Sequence, residues 1–228
     1  MLHYIRETEE KDINWFLDTV ICRDIKSVID NGGAYLAFGL IAQAIEVLGA
    51  LLDEKEFDDH TDKTPSKRFS LAICKVFRKI NPKYNEFAKR DHPFDLWTHL
   101  RCGMAHVMRP NSNIVFSAKN DAEELGSKHL DKIILNDAGT EKECLLLVIE
   151  DFYGDLLEAC DRVKKLAKKK THPKLNKGYL VLYDFEGKGD GVIRCCLRAN
   201  KSCHPNPTAL VGNSLTGNLG VVEVVKVR

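Results

Sequence analysis

The sequence predicts a mainly α-helical protein: a bundle of about five helices, a small β-hairpin insertion and a β-rich C-terminal appendage. Apolar side chains recur at helical spacing through several long stretches of the chain. Residues 34–52 are apolar on nearly every side, as expected of a helix at the centre of a bundle. Beyond Pro173 the runs become strand-like and are separated by Gly, Asn and Pro. These patterns predict a helical domain over residues 1–172 and an appendage over residues 173–228.

The first part of the predicted bundle contains three helices. An amphipathic helix spans residues 8–30, with Thr8 in a capping position and a turn of Asn and two Gly residues at its end. The apolar helix over residues 34–52 follows it. A third helix begins at Thr64, which is followed by a proline at the first helical position, and its apolar stripe extends to about Lys79.

The second part combines helices with short strands. Asp95 is placed to cap a fourth helix, which Pro110 ends. Residues 113–118 and 129–135 alternate in the manner of strands, so we expect them to pair as an antiparallel hairpin. From Thr140 a capping signal leads into a long helix that closes the domain and ends in a basic run.

Composition and charge favour a globular intracellular protein. The 34 basic and 33 acidic residues nearly cancel, which argues against a general nucleic-acid coat, so an anionic ligand must be bound locally. The eight cysteines show no CxxC spacing and are expected to be reduced, packed thiols. The N-terminal residues lack the pattern of a secretory signal, and we expect a cytoplasmic protein.

The apolar stretch over residues 34–52 is long enough to cross a membrane. Gln43 and Glu46 lie on one face of it, and acidic rather than basic residues follow it. We therefore predict a buried core helix and no membrane association. Glu46, within so apolar a helix, then requires a partner.

The stretch RCGMAH places Arg101 five positions ahead of His106 on the fourth predicted helix. Arginine presents a planar fork of donors that suits phosphate oxygens, and histidine can take and give a proton near neutral pH. Together they provide the chemistry of metal-free RNA cleavage: a base removes the ribose 2′-OH proton, and a cation stabilises the charge on the attacked phosphate. The product would be a 2′,3′-cyclic phosphate. Both residues could instead be structural partners of carboxylates or helix ends.

The spacing of the two residues predicts that one copy of the helix does not form the site. Five steps of about 100° place the side chains of Arg101 and His106 about 140° apart on a regular α-helix. Two copies packed across a two-fold axis could present both pairs to one cleft. The sequence thus predicts a homodimer with a composite site.

The segment RCGMAH resembles the R-x4-6-H motif of the HEPN superfamily (higher eukaryotes and prokaryotes nucleotide-binding). The resemblance covers about residues 8–170 and includes the helix order: a long first helix, an apolar second helix with an embedded acid (IEVLG) and a long closing helix. It implies a cofactor-free, metal-independent endoribonuclease or RNA-binding protein, often in bacterial defence or toxin–antitoxin systems. By position, Arg101 would hold phosphate and His106 would be the general acid/base. The family commonly has Asn, Asp or His where this chain has Cys102, and many of its members are noncatalytic.

Further residues could support such a site. Glu46 could pair with Arg101 or His106 and orient it, or could be a satisfied acid of the core. Four basic residues could contact the RNA backbone, although cations near the end of the last helix could equally be a solvated face: Arg109, Lys164, Lys165 and Lys168. The class that competes with an enzyme is a noncatalytic helical interaction or regulatory module with a protein partner of unknown identity.

No metal site is predicted. His92, His99 and His106 recur every seven residues, but successive members on one helix would be about 10 Å apart, too far to share one ion. The C-terminal residues 195–204 contain three cysteines and a histidine, but the two adjacent cysteines would point to opposite faces of a strand. The chain contains no P-loop, GxGxxG, HExxH or GxSxG motif, so nucleotide hydrolysis, dinucleotide chemistry, zinc proteolysis and serine hydrolysis have no support.

Overall fold

A computed structural model describes most of the predicted helical domain and two short strands beyond it. The described residues are 11–55, 61, 63–111, 113–137, 140–168, 179–182 and 197–198. The predicted cap Thr8 and most of the predicted appendage over residues 173–228 lie outside these ranges.

The first helix is confirmed over its described length. A two-residue strand β1 (Lys11–Asp12) leads into α1, which consists of Ile13–Trp15, a π-helical segment Phe16–Arg23, and Asp24–Asp30. Its apolar stripe packs into the core, as the periodicity predicted. The helix ends in a tight turn at Gly32, whose positive φ of 81° explains the glycine there.

Helix α2 (Ala34–Leu52) has the bounds that the sequence predicted and lies at the centre of the fold. Among the described residues it is the one helix long and apolar enough to span a membrane, and 61% of its most apolar window is buried within the protein. It contacts α1, the next helix α3 (Thr64–Lys75), and two later helices described below. The prediction of a core helix is therefore confirmed.

Helix α3 crosses α2 with their backbones in close approach. A Cβ built on Gly49 would lie 1.8 Å from the carbonyl oxygen of Arg68, so no larger residue fits at this crossing. The Nε atom of Arg68 lies 2.6 Å from Oδ2 of Asp53 at the end of α2. The capping position of α3 is Lys63 rather than the predicted Thr64, and a single 3-10 turn (Phe77–Lys79) ends the apolar stripe.

Two further helices lie between α3 and the first strand of a three-stranded sheet. The short α4 spans Tyr84–Phe87, and α5 consists of a π-helical segment Trp97–Cys102 followed by an α-helical segment Gly103–Val107. The predicted cap is confirmed: Asp95 accepts hydrogen bonds from the backbone N–H groups of Trp97 (3.1 Å) and Thr98 (3.2 Å). The helix ends before the predicted Pro110, at Met108, which has a left-handed φ of 54°.

The predicted hairpin is wrong. Strands β2 (Ile114–Ser117) and β3 (Lys132–Asp137) do not pair with each other, because a third strand β4 (Thr140–Val148) lies between them. Strand β2 is parallel to β4, and β3 is antiparallel to it. The parallel pair needs a crossover, which contains the short helix α6 (Lys119–Glu124).

The predicted start of the long closing helix at Thr140 is also wrong. Residues 140–148 form the central strand of the sheet, and α7 spans Ile149–Lys168. Five consecutive apolar side chains in β4, from Cys144 to Val148, are buried. A short continuous apolar run of this kind fits a buried strand as well as a helix, and here neighbours on both edges fix it as a strand.

Helix α7 packs against α2 and α1 through the apolar face that the sequence predicted, except that Leu157 is 37% exposed. Two strands beyond it, β5 (Tyr179–Leu182) and β6 (Leu197–Arg198), fall within predicted strand-like runs. They form a separate three-stranded sheet in the order β1-β5-β6, so a strand that precedes α1 pairs with the C-terminal region.

The cysteines of the described residues carry no disulfide. None of these five forms a disulfide, and the last two are buried: Cys22, Cys74, Cys102, Cys144 and Cys160. The prediction of packed thiols is confirmed for Cys144 and Cys160, whereas the other three are partly exposed. The three C-terminal cysteines lie outside the described residues.

The α2–α3 crossing can be tested with two glycines that both lie inside helices. Gly49→Ala should lower the free energy of unfolding by about 3 kcal/mol, because the new methyl group would collide with the backbone of α3. Gly154→Ala in α7 should raise it by about 0.8 kcal/mol, because nothing lies within 4 Å of the added Cβ and alanine favours the helix. Urea unfolding measures both, and a similar small effect for the two variants would contradict the close crossing.

Candidate functional site

Helices α2 and α5 lie side by side and run in opposite directions. Near the start of α2, the hydroxyl of Tyr35 donates a hydrogen bond to the carbonyl oxygen of Met108, at the end of α5 (2.8 Å). One turn further, a Cβ built on Gly39 would lie 3.3 Å from Cβ of Met104. The small residue therefore allows the two helices to approach closely beside the RCGMAH segment.

Arg101 and Glu46 join the same two helices by an ion pair. The Nε atom of Arg101 lies 2.7 Å and its Nη2 atom 2.6 Å from Oε2 of Glu46. The side chains are only 20% and 19% exposed, so the attraction is less screened than on an open surface. The guanidinium also lies over the ring of Trp97, 4.8 Å from its centroid. Of the alternatives considered for Glu46, the structure has the pairing with Arg101.

His106 has different surroundings. It lies in the last turn of α5, is exposed, and makes no hydrogen bond or ion pair with any described residue. No hydrogen bond joins it to Arg101. The predicted angle of about 140° assumed a regular α-helix, whereas Arg101 lies in the π-helical segment, so that value does not hold. The two side chains nevertheless have different surroundings. Arg101 is held against α2, and His106 faces solvent.

Cys102 is half-buried beside Arg101. Burial raises the pKa of its thiol, and the charge of Arg101 opposes this shift only in part. The thiol is therefore protonated at neutral pH, and Cys102 does not offer a nucleophilic thiolate.

Arg109 follows α5 in an exposed loop that folds back onto the helix. A Cβ built on Gly103 would lie 2.5 Å from the carbonyl oxygen of Arg109, so the glycine permits this return. The loop is fastened where the backbone N–H of Asn111 donates to the carbonyl of His99 (2.8 Å). A cavity of about 380 Å³ opens here, and its lining includes His99 and Arg109 but neither Arg101 nor His106.

The three lysines proposed on α7 have unequal positions. The Nζ atom of Lys164 lies 2.6 Å from carboxylate oxygens of both Asp18 and Asp161. Burial opposes its charged form, but these two carboxylates raise the pKa of Lys164. Lys164 thus links α7 to α1 and would have to leave two carboxylates to bind phosphate. Lys165 is exposed, and the side chain of Lys168 lies outside the described residues.

Lys165 belongs to a basic groove that the sequence did not predict. The groove lies between the end of α3 and α7, has a volume of about 170 Å³, and four of its six lining residues are basic: Lys75, Lys79, Arg162 and Lys165. Arg162 is paired with Glu158 one turn earlier on the same helix. The groove could not be predicted because its residues come from two helices about 90 positions apart.

An exposed apolar patch lies beside His106. It combines residues of the first turns of α2 with residues at the end of α5, and we call it the α2–α5 patch: Tyr35, Leu36, Leu40, Val107 and Met108. Val107 and Met108 are 59% and 57% exposed, and the hydrogen bond from Tyr35 joins the two halves. Exposed apolar side chains at the meeting of two helices make this patch a candidate interaction surface.

The histidines at seven-residue spacing do not share one environment. His92 pairs with Glu86 (3.2 Å), His99 contacts Asn111 (3.2 Å), and His106 faces solvent. Within the ranges that the structure describes, no group of three or more His, Cys, Asp or Glu side chains could hold a metal ion. The cluster of cysteines and a histidine over residues 195–204 lies outside these ranges.

Comparison with known proteins provides no relative for this chain. No protein-family model, no curated protein and no solved structure matches it.

A double-mutant cycle tests the ion pair between α2 and α5. We expect Arg101→Met and Glu46→Gln to share a coupling energy of about 2 kcal/mol in urea unfolding, since each charge loses its partner in a half-buried place. The matched cycle on Lys26 and Asp30, an exposed pair on α1, should give about 0.5 kcal/mol. Equal coupling in the two cycles would show that Arg101 and Glu46 are no more than a surface pair.

Proposed function

We propose that this protein is a HEPN-like, metal-independent endoribonuclease or RNA-binding protein that acts in the cytoplasm as a homodimer. It would act in bacterial defence or a toxin–antitoxin system, as the resemblance implies. The observation that carries the proposal is His106, an exposed imidazole without a partner among the described residues, beside the α2–α5 patch. No cofactor is required for this chemistry.

The two residues of the motif would divide the reaction between them. His106 would take the ribose 2′-OH proton and later return a proton to the leaving 5′-oxygen. Arg101 would bind the phosphate oxygens and stabilise their developing charge. Glu46 holds its Nε and Nη2 atoms, and Trp97 supports the plane of its guanidinium, so this donor is oriented before RNA binds.

A second copy of the chain is the occupant that we propose for the α2–α5 patch. Within one chain no contact brings Arg101 and His106 together, so one copy presents an incomplete site. An isologous interface on the patch would bring the same elements of the partner next to His106. The exposed apolar side chains of the patch would be buried in this contact, which stabilises the dimer.

The RNA backbone would extend from the cleft along basic side chains. Arg109 follows His106 by three residues and is exposed. Lys165 lies with Lys75 and Lys79 in the basic groove, which could bind a more distant phosphate. Lys164 is the weakest of the proposed contacts, because its charge is already bound by two carboxylates.

A noncatalytic interaction module is the second candidate. The observation that favours it is the ion pair itself: Arg101 already has a carboxylate partner, and a half-buried Glu46 needs it for stability. Cys102, in the position where the family commonly has a polar or ionisable residue, is a neutral thiol. In this case the α2–α5 patch would bind a different protein.

Cleavage of labelled RNA in the presence of EDTA separates the two candidates. Wild-type protein should cleave, and His106→Ala should reduce the rate at least about 100-fold, because the general acid/base is lost. The products should carry 2′,3′-cyclic phosphate ends, which mass spectrometry identifies.

His92→Ala is the matched control for this experiment. His92 lies before α5 and pairs with Glu86, so its loss should leave the cleavage rate unchanged. If wild type and His106→Ala cleave equally, or if neither cleaves, the enzyme proposal is wrong.

The proposed dimer can be tested with a charge placed on the patch. Leu36→Glu should shift the protein from dimer to monomer in sedimentation velocity and abolish cleavage, because a carboxylate would be buried at the two-fold contact. Ile134→Glu is the control, since Ile134 is also an exposed apolar residue (61%, against 47% for Leu36) but lies on β3, outside the patch. A monomeric wild type, or a Leu36→Glu dimer as stable as the control, would contradict the proposal.

A further inference from the structure

A large cavity lies away from the α2–α5 patch. It opens between α6, the loop that leads to β3, and one face of α7, and has a volume of about 820 Å³, within the range of small-molecule sites. The lining is polar and charged, with five carboxylates and three lysines: Glu123, Glu150, Asp151, Asp155, Glu158, Lys83, Lys119 and Lys128.

Two glycines keep the cavity open. Gly154 lies in the second turn of α7 and lines the cavity, and a Cβ built on it would meet no atom within 4 Å. Gly126 lines the opposite side with a φ of 65°, and its Cβ position is also free. A larger residue at position 154 would therefore fill the cavity without disturbing the core.

A buried chain of hydrogen bonds holds one carboxylate at this cavity. The backbone N–H of Val148 donates to Nδ1 of His129 (3.0 Å), so the ring proton lies on Nε2. Nε2–H then donates to the hydroxyl oxygen of Tyr84 (3.0 Å), and this hydroxyl donates to Oδ2 of Asp155 (2.8 Å). His129 and Tyr84 are 6% and 0% exposed, whereas the side chain of Asp155 is 18% exposed and lines the cavity.

The surroundings of the hydrogen-bonded residues set the charges of His129 and Asp155. Burial lowers the pKa of His129 to about 3, so the ring is neutral at neutral pH. Its Nε2 atom lies 3.8 Å from Oδ2 of Asp155, but a neutral ring makes no ion pair. Burial also raises the pKa of Asp155 to about 6; the hydrogen bond from Tyr84 opposes this shift, and the nearby Asp151 and Glu158 add to it. Asp155 is thus an anion at pH 7 without a cationic side chain bound to it.

The lysines of the cavity do not neutralise Asp155. The Nζ atom of Lys83 lies 2.5 Å from Asp131, and that of Lys119 lies 3.6 Å from Asp151. Glu158 is in turn paired with Arg162. The lining then keeps three carboxylates against one remaining lysine, Lys128: Glu123, Glu150 and Asp155. A cation is therefore favoured over an anion as a ligand.

We propose that this cavity binds a small amine-bearing cation whose ammonium group pairs with the carboxylate of Asp155. The fixed Oδ2 atom orients the carboxylate, and a linear amine fits a cavity that extends along the acidic face of α7. This site is independent of Arg101 and His106, so it stands or falls separately from the proposed RNA chemistry.

Isothermal titration calorimetry of the full chain with spermidine and putrescine tests the site. Wild type should bind at least one of the two amines at pH 7.5, and Asp155→Asn should weaken binding at least tenfold. Glu124→Gln removes one negative charge from α6 outside the lining and should leave the affinity unchanged. Gly154→Leu should abolish binding because it fills the cavity, and it keeps the test valid if Asp155→Asn fails to fold.

The pH dependence supplies a further readout. The groups that face Asp155 are Tyr84, His129, Asp151 and Glu158, with Lys83, Lys119, Lys128, Glu123 and Glu150 elsewhere around the cavity. Affinity in wild type should fall as the pH drops below about 6, where Asp155 becomes protonated, and Asp155→Asn should lack this loss. The proposal is overturned if neither amine binds, or if wild type, Asp155→Asn and Gly154→Leu bind equally.

Discussion

The contact between Glu46 and Arg101 is the constraint on which the arrangement of this site depends. Helix α2 is apolar on nearly every side, and its one acid would be costly if it were unpaired. Arg101 satisfies it, which fixes the register of α5 against α2. The close approach at Gly39 allows this contact, and His106 then emerges at the exposed end of α5. One ion pair thus orients the arginine and separates it from the histidine.

The sequence predicted the elements whose signals are local. The bounds of α2 were predicted correctly because a run that is apolar on all sides has a clear beginning and end, and Asp95 caps α5 as expected. The strand β4 was mistaken for helix, because its identity depends on pairing with two other strands, of which β2 lies 31 residues earlier at each paired position. The π-helical segment over Trp97–Cys102 has no recognised sequence signal. Because it contains Arg101, the angle to His106 that was calculated for a regular α-helix does not apply.

The residues of the two sites also divide into those with a local sequence signal and those without one. Pairing of Glu46 with Arg101 was among the alternatives, because a buried acid needs a partner. The contact of Trp97 with Arg101 could also have been predicted, because Trp97 lies one helical turn earlier. The chain of Tyr84, His129 and Asp155 could not, since its members lie 45 and 71 positions apart in three different elements. Such a network depends on the tertiary fold alone. It lies at a cavity on the side of α7 that the RCGMAH motif does not reach.

In the proposed dimer, two chains complete one Arg101–His106 cleft. The most direct test mixes two inactive variants, Arg101→Met and His106→Ala, lets their subunits exchange, and measures RNA cleavage with EDTA present. In a mixed dimer, one cleft contains the arginine of one chain and the histidine of the other, so activity should return to about a quarter of the wild-type rate. If the mixture stays inactive while both variants exchange subunits and wild type cleaves, the cleft is not shared between chains and the proposed composite site is wrong.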